Sequence, residues 1–489
     1  MLEFELFLNK KHRQIRQAVL CVGPNYPDWR VKEFVDRTDL DKLIITGFFT
    51  EKQAKKMTEQ LLLNAVCGKQ KLPASFVCYS LDQFVRPEGE YALVVDGLED
   101  NRDVLLLRKY SPDYLLGQIQ AIGTGSFEIW NAFRDISKNI QLVTLRGEPE
   151  PQVLDWEKDP ENDTELSVIF PMYNVAKYLD QCIQSVTAWK ADYIEYLFVN
   201  DGSPDNSREI VLEYAKKDPR IKLLDKPNGG CASARQWGLD RAKGRYVGFI
   251  DPDDFTDESM YRKLLRAAMS GSYDISYCGY KEYYENNGLT MEAPDTLGWP
   301  YNVGCNDPRR IHELITYARV AIWRGIYKMD MLKQNNIHFY TEIRRFDDLP
   351  FKVETFAAAR SVITVEEYLY YYRLARPGQD VAADDERLYV HFPIFVHLNE
   401  SVAGKLDQRI TDFLQLCKIQ THCYALEKIR PEFIKEYARQ AREDLLTTGE
   451  FRRTYKLAKE KLGKKRALLY RAIIKNNNFL LHKFKVVAK

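Results

Sequence analysis

Four short apolar runs between Leu166 and Ile250 constrain this chain more than any other feature. Leu166-Ser167-Val168-Ile169-Phe170 reads as a buried strand closed by Pro171, after which Tyr178, Leu179, Cys182, Ile183 and Val186 recur at helical spacing. Tyr196-Leu197-Phe198-Val199 ends in Asn200-Asp201-Gly202-Ser203, with Ser203 placed to cap a helix that starts at Pro204. Ile210, Val211, Tyr214 and Ala215 give that helix its buried face. A third strand, Ile221-Lys222-Leu223-Leu224, leads to Asn228-Gly229-Gly230 and a helix beginning near Ala232. The fourth, Tyr246-Val247-Gly248-Phe249-Ile250, stops at Asp251-Pro252-Asp253-Asp254, because proline cannot continue a ladder. Repeated β-α units build a parallel sheet and deliver these turns to its carboxyl edge, where open α/β sheets bind ligands.

The turns carry chemistry of different kinds. Carboxylates as crowded as Asp251, Asp253 and Asp254 repel one another unless a cation lies between them, and hard oxygen ligands favour Mg²⁺ or Mn²⁺ arriving with a phosphate. An isolated Asp-x-Asp is also an ordinary acidic surface turn; its company decides between the two. Tyr173 has a face on which a base can stack, and Asp201 can accept a hydrogen bond from a ring N–H such as the imide of uracil, although either residue alone is more often structural. Gly229 and Gly230 permit close backbone approach, Arg235 can offset diphosphate charge, and Asp253 is placed to hold the metal.

Taken together, Pro171-Met172-Tyr173-Asn174, Asn200-Asp201-Gly202-Ser203, Asn228-Gly229-Gly230 with Ala234-Arg235, and Asp251-Pro252-Asp253-Asp254 resemble a family 2 glycosyltransferase of the GT-A fold, bacterial polysaccharide type, over residues 166 to about 376. The resemblance implies a donor-nucleotide site at Pro171, Tyr173, Asn174, Asp201, Gly230, Arg235 and Asp251, with Asp251 on the ribose and Asp253 on Mn²⁺ or Mg²⁺. Two departures are visible: Asn200 stands where an acid is common, and Pro252 where a small polar residue is common. Arg345-Phe346-Asp347-Asp348-Leu349-Pro350-Phe351 resembles the family's Glu-Asp pair before a helix, which makes Asp348 the base and puts Asp347 in place of the usual Glu. Chemistry asks for such a group independently, because a sugar hydroxyl is a poor nucleophile until a carboxylate takes its proton. Trp323 is placed to line the acceptor site or to serve the core; Arg373 and Arg376 are placed to reach the diphosphate or to pair on the surface.

The remaining chain is read around this domain. At 489 residues, two or three domains are expected. Residues 1–150 alternate apolar runs (Ala18–Val22, Lys42–Ile45, Ser75–Tyr79, Tyr91–Val95, Ile140–Val143) with helical stretches such as Glu51–Val66, the rhythm of a small Rossmann-like α/β domain. No Gly-x-Gly-x-x-Gly follows any of these strands, so a structural, docking or acceptor-positioning role outweighs dinucleotide binding. Asp96, Glu99, Asp100 and Asp103 read as a solvated loop, and residues 151–164 as a linker. The GT-A domain, with its mixed Rossmann-like sheet, is assigned to residues 165–379. Residues 380–489 form a helical region, with Phe392, Phe395, Val396, Leu398, Ile410, Phe413, Leu414 and Cys417 supplying apolar faces. From Glu450 onward Lys and Arg far outnumber Glu450 and Glu460, and their mixture with Leu468, Leu469, Ile473, Phe479 and Leu481 suits a helix lying on an anionic membrane. The competing reading packs that helix on the protein itself; no nucleic-acid motif is present.

Nine cysteines without a Cys-x-x-Cys pair read as reduced thiols, and seven histidines show no zinc spacing. With no run of signal-peptide or membrane-spanning length, the expected place is the cytoplasm, peripheral at the inner face of the cell membrane. The expected function is inverting, metal-dependent transfer of a hexosyl or N-acetylhexosaminyl group from a nucleoside diphosphate sugar, UDP above others, to a hydroxyl of a polysaccharide or glycolipid acceptor. A homo-oligomer is left open. The alternatives are a sugar nucleotidyltransferase, which lacks its glycine-rich triphosphate loop here, and a non-catalytic sugar-nucleotide-binding member of a glycan-assembly complex, against which Asp253 and Asp348 argue.

Overall fold

The computed structural model describes residues 15–23, 26, 28–37, 40–66, 73–78, 80–98, 101–119, 125–144, 152–293, 304–374, 383–403, 407–447, 450–477 and 479–481. The chain divides into two compact units, Met1–Asp163 with Met269–Ser272, and Thr164–Ala268 with Tyr273–Lys489.

The first unit is built on a seven-stranded sheet. Its strands are β1 (Gln17–Val22), β2 (Lys42–Gly47), β3 (Ser75–Cys78), β4 (Ala92–Leu98), β5 (Tyr114–Ile119), β6 (Asn139–Thr144) and β7 (Gln152–Glu157). Their order is β3-β2-β1-β4-β5-β6-β7, parallel except for the β6–β7 pair. Strand β1, interior to the sheet, is buried without a break from Ala18 to Val22, as a strand covered on both faces must be. Helices α1 (Asp28–Arg37) and α2 (Glu51–Val66) cross between strands. Two expectations change. Residues 152–157, assigned to a linker, form β7, whose Trp156 is buried against Trp130. Asp96 is not solvated: it is buried at the end of β4, accepts a hydrogen bond from Tyr26 Oη (2.5 Å), and lies 3.7 Å from Arg30. Glu99 and Asp100 lie outside the described residues.

The second unit opens with the predicted units: β8 (Leu166–Met172), α3 (Ala176–Thr187), β9 (Ile194–Asn200), α4 (Ser207–Ala215), β10 (Ile221–Asp225), α5 (Cys231–Leu239) and β11 (Tyr246–Phe249). The first four strands are parallel, in the order β10-β9-β8-β11. Pro171 does not close its strand but sits inside it, opposite Val199. The second helix starts at Ser207 rather than Pro204, because Ser203 is spent on the turn: its N–H donates to Asn200 Oδ1 (3.0 Å) and its hydroxyl to the Met172 carbonyl (3.3 Å).

Beyond β11 the sheet becomes mixed. It adds β12 (Phe255–Thr256), β13 (Ile275–Tyr284), β14 (Leu289–Glu292), β15 (Gly304–Cys305), β16 (Gly325–Lys328) and β17 (Val362–Leu374), with β16 antiparallel to both β11 and β13. Helix α6 (Asp348–Ala358) precedes β17. The remainder is helical: α7 (His391–Ala403), α8 (Gln408–Lys428), α9 (Ile434–Leu446), α10 (Phe451–Lys461) and α11 (Gly463–Ile474). Among the described residues one continuous apolar core runs from Ile169 and Phe249 of the sheet through Phe351 of α6 to Tyr437 and Ile473, with members from both sides of the expected 379/380 boundary. Leu469, Tyr470, Ile473 and Ile474 belong to that core, whereas Arg452, Lys456, Lys459, Lys464, Arg471 and Lys475 face outward.

Candidate active site

Strands β8, β9 and β11 bring Tyr173, Asp201 and the Asp251–Asp254 turn to one edge, joined by the loop after β10. Tyr173 is 52% exposed, so its ring is available for stacking. Asn174 follows in the left-handed region (φ 57), a conformation its short polar side chain tolerates, and this bend turns the chain out of β8. Pro171 and Met172 are buried beneath it.

Asp201 organises the glycine loop. It is 2% exposed; Oδ1 accepts from Gly229 N (2.9 Å) and from Lys226 Nζ, and Oδ2 from Gly230 N (2.8 Å). The Asn228 side chain adds a bond to the Asp201 carbonyl (2.9 Å). Gly230, at φ +88, takes a conformation that side chains resist, which is what lets two successive N–H groups converge on one carboxylate. Oδ2 retains a lone pair for a base N–H. Asn200 departs from the expected acid for a local reason: its Nδ2 donates to Asp225 Oδ1 (2.8 Å), where a carboxylate would be repelled.

Two of the three arginines assigned to the diphosphate are engaged with the protein itself. Arg235 is 4% exposed, and its guanidinium bridges Asp251 Oδ1 (2.6 Å) and Asp347 Oδ2 (2.8 Å). Arg373 is equally buried: Nε donates to the Asp253 carbonyl (2.7 Å), Nη2 to Gln181 Oε1 (2.7 Å), and its N–H to Asp254 Oδ1 (2.7 Å). Both hold the acid turn, one to Asp347 and one to β17. Arg376 lies outside the described residues. Trp323 is 5% exposed and packs parallel to Tyr370 (4.1 Å) and Tyr372 (5.4 Å), with Tyr280 against its edge, so of its two expected roles the structure shows the core one.

Within the acid turn the carboxylates are unequal. Asp254 is fully buried, accepts from Tyr370 Oη (2.7 Å), and is raised well above the usual carboxylate range by burial and by the neighbouring charges of Asp253 and Asp251. Asp251 keeps a partly exposed face (27%) beside Arg235. Asp253 is largely buried. Among the described residues no three His, Cys, Asp or Glu side chains are grouped as a complete metal site. The donor set nonetheless fits a hard divalent ion that takes one carboxylate from the protein and the rest from phosphate oxygens and water.

Asp348 begins α6, half-buried, with Phe346 before it in the left-handed region (φ 55). Loss of hydration and the adjacent Asp347 raise its carboxyl to about 7, against the lowering pull of Arg235. It is therefore poised to take a proton near neutral pH. Sequence reasoning missed three supporting groups: Lys226 against Asp201; Tyr370, whose hydroxyl also accepts from Asp251 N (3.3 Å); and Lys352, wholly buried in α6 and donating to the carbonyls of Ile315 (2.8 Å) and Ala318 (3.0 Å). Only Tyr370 carried a signal, as one of three consecutive tyrosines on a strand.

The family model "Glycosyl transferase family 2" matches residues 167–362. That segment is a family 2 glycosyltransferase domain. The glycosyltransferase EpsJ of Bacillus subtilis is 36% identical over 212 residues, 42% of this chain and 60% of EpsJ. The minor teichoic acid biosynthesis protein GgaB of the same organism is 44% identical over 217 residues, 44% of this chain and 23% of GgaB. The chain thus spans about 60% of the length of EpsJ. Among solved structures, S. aureus TarS 1–349 with UDP superposes at TM-score 0.51 and 19% identity, covering 67% of this chain and 92% of TarS 1–349. The same TarS fragment with UDP-GlcNAc gives 0.52 at 19% identity, covering 66% and 90%. Over the matched part the fold is that of TarS 1–349, a mixed GT-A-type α/β sheet, here continued by a helical C-terminal region.

Proposed function

We propose that the chain transfers a hexosyl or N-acetylhexosaminyl group from a UDP-sugar to a hydroxyl of a cell-surface polysaccharide or glycolipid, with inversion at the anomeric carbon. The observation that carries the reading is Asp348: a half-buried carboxyl with a pKa of about 7, tied through Asp347 and Arg235 to the acid turn of the donor edge. TarS structures with UDP and UDP-GlcNAc support the donor class, and EpsJ and GgaB support the glycan setting.

Tyr173 stacks on the uracil and Asp201 Oδ2 accepts its imide N–H. Asp251 orients the ribose. The acceptor hydroxyl gives its proton to Asp348 as its oxygen bonds to the anomeric carbon; the bond to the diphosphate breaks on the opposite face, in one displacement. A Mn²⁺ or Mg²⁺ ion held by Asp253 and the diphosphate would supply charge neutralisation to the leaving group.

No helix among the described residues is long and apolar enough to cross a membrane. The outward basic face of α10 and α11, with Leu468 (42%) and Phe479 (76%) exposed beside it, supports peripheral docking on anionic lipid at the inner face of the cell membrane. Because Leu469, Tyr470, Ile473 and Ile474 of α11 are already spent on the bundle, docking is chiefly electrostatic.

Incubation with a panel of UDP-, GDP- and TDP-sugars, with Mn²⁺ and with EDTA, tests the reading. UDP release that requires metal is expected; release from no nucleotide sugar, with Asp348→Asn equally inert, refutes it.

A further inference from the structure

Helix α7 places two histidines against the segment that leads into Asp348. His397 stacks on Tyr340 (4.3 Å between centroids), and its Nε2 lies 2.9 Å from Glu342 Oε1. One and a half turns earlier, His391 packs against the ring of Phe346, with centroids 5.3 Å apart. Phe346 is the left-handed residue, and its carbonyl accepts from Leu349 N (3.1 Å), so the bend at Phe346 sets the direction of the first turn of α6 and hence of Asp348. A bulky side chain stays in that region only where its surroundings over-determine it. The His391 ring is one such surrounding.

His391 is itself held by a buried polar chain that crosses three helices. Its Nδ1 lies 3.0 Å from Tyr437 Oη, and the same hydroxyl lies 3.1 Å from His422 Nδ1. His422 Nε2 lies 2.8 Å from Asp444 Oδ2, whose other oxygen accepts from Lys418 Nζ (2.8 Å). His391, His422, Tyr437 and Lys418 are buried. Tyr437 has one proton to give, and the chemistry fixes the order. His422 donates from Nε2 to the carboxylate, which leaves its Nδ1 to accept from Tyr437; the tyrosine oxygen then accepts from His391 Nδ1–H. Burial lowers His422 and pushes His391 down to about 3, which favours the neutral rings that this order requires.

A network of this kind adds little stability over an apolar core of the same shape, but every member must be in place, so it fixes one arrangement. We propose that His391, anchored through Tyr437 and His422 to the Asp444–Lys418 pair, is a positioning residue that holds Phe346 in the bend aiming Asp348. The helical region thereby becomes part of the transfer machinery. The inference rests on the reading of Asp348 as the base.

The test is steady-state UDP release by the full chain with Mn²⁺, from UDP-GlcNAc or from whichever panel member turns over fastest. Tyr437→Phe removes one buried hydroxyl and keeps the ring; His391→Ala removes the ring against Phe346; His391→Phe keeps a ring without the hydrogen bond. Misplacement of a reacting group costs between about tenfold and about a hundredfold. His391→Ala is expected in that range in kcat with donor KM unchanged, Tyr437→Phe nearer its lower end, and His391→Phe between His391→Ala and wild type. UDP affinity and melting temperature, measured on the same samples, separate this from unfolding. Unchanged kcat in His391→Ala, a KM effect alone, or a kcat loss that follows the melting temperature overturns the positioning role. An inactive Asp348→Asn beside a fully active His391→Ala removes only that role, whereas an active Asp348→Asn removes the base assignment itself.

Discussion

Asp348→Asn is the substitution whose consequences the structure fixes most closely, because activity and stability are expected to move in opposite directions. The free carboxyl titrates near 4 and the folded one at about 7. A carboxyl raised on folding contributes stability that is fully present below its unfolded pKa and is lost as pH rises through the folded value. The folded state therefore weakens between pH about 4 and about 7 and stays weakened above. At about 1.4 kcal/mol per unit, roughly three units set a ceiling of about 4 kcal/mol. Asp348 is only half-buried, and solvent screening brings the expectation to about 2 kcal/mol. Asparagine has nearly the same shape and no charge, so it recovers this amount at pH 8 and almost none at pH 4. The Arg235–Asp347 pair is untouched by the change.

The same substitution removes the proton acceptor, which lowers kcat by about 10² to 10⁴ while leaving the UDP affinity close to wild type. Melting of the free proteins at a series of pH values, with UDP release measured in parallel, reads both effects. The Asn variant should melt higher than wild type at pH 8, with the difference closing toward pH 4. The wild-type rate should rise through pH about 7. A variant that retains turnover, or a melting difference that does not change with pH, refutes the placement of Asp348 as a half-buried base.

Arg235→Gln leaves Asp251 and Asp347 without their shared cation; breaking a buried pair costs about 3 to 5 kcal/mol, and the acidic limb of the rate profile should move to higher pH, since Arg235 is what holds Asp348 down. Denaturant unfolding and a pH–rate profile check both. Tyr173→Ala removes an exposed ring and should weaken UDP binding by about 0.5 to 1.5 kcal/mol, read by calorimetry, without a change in melting. Replacing Lys456, Lys459 and Lys464 by Glu should weaken sedimentation with vesicles of phosphatidylcholine and phosphatidylglycerol by at least about a hundredfold, at about 1 kcal/mol per basic residue lost, with no loss of binding expected for vesicles of phosphatidylcholine alone.

What sequence pattern could and could not convey follows from the kind of information each feature carries. The helix Glu51–Val66 and strands β8 to β11 are legible because their apolar spacing is set by burial on one side or both, which is a property of the chain read residue by residue. Strand β5 escaped because Gly117 and Gln118 interrupt its apolar run, and the glycine is there because a Cβ would lie 2.1 Å from the Val95 side chain of the neighbouring strand. Strand β7 is an edge strand in polar surroundings, paired on one side only. The residue types of the site were legible; the partners of its arginines were not. A sequence shows that Arg235 follows a glycine loop, but not that Asp347, more than a hundred residues later, comes within 2.8 Å of it. The packing of the tail was hidden in the same way: amphipathic spacing says that α11 has an apolar face, while only the fold says that the bundle covers Leu469, Tyr470, Ile473 and Ile474.

The distance between the acid turn and the base has a physical rationale. A carboxylate bound to a divalent ion stays ionised but is a weak base, because the cation holds its electron pairs and lowers its pKa. A base must instead stand where hydration is poor, so that accepting a proton relieves the cost of the charge. Both needs meet in one crevice only if the two carboxylates are kept apart electrostatically while remaining mechanically linked. Arg235 does this: it neutralises Asp251 and Asp347, the nearest acid of each group, and moderates the rise at Asp348 through its charge. Asp254, buried and raised well above its usual range by burial and by Asp253 and Asp251, is the counterpart on the other side: it carries the turn's hydrogen bonds to Tyr370 and Arg373. On the proposed mechanism, one acid therefore remains for the metal, one for the ribose and one for the proton, and the others are held by cations or hydrogen bonds that stop them competing.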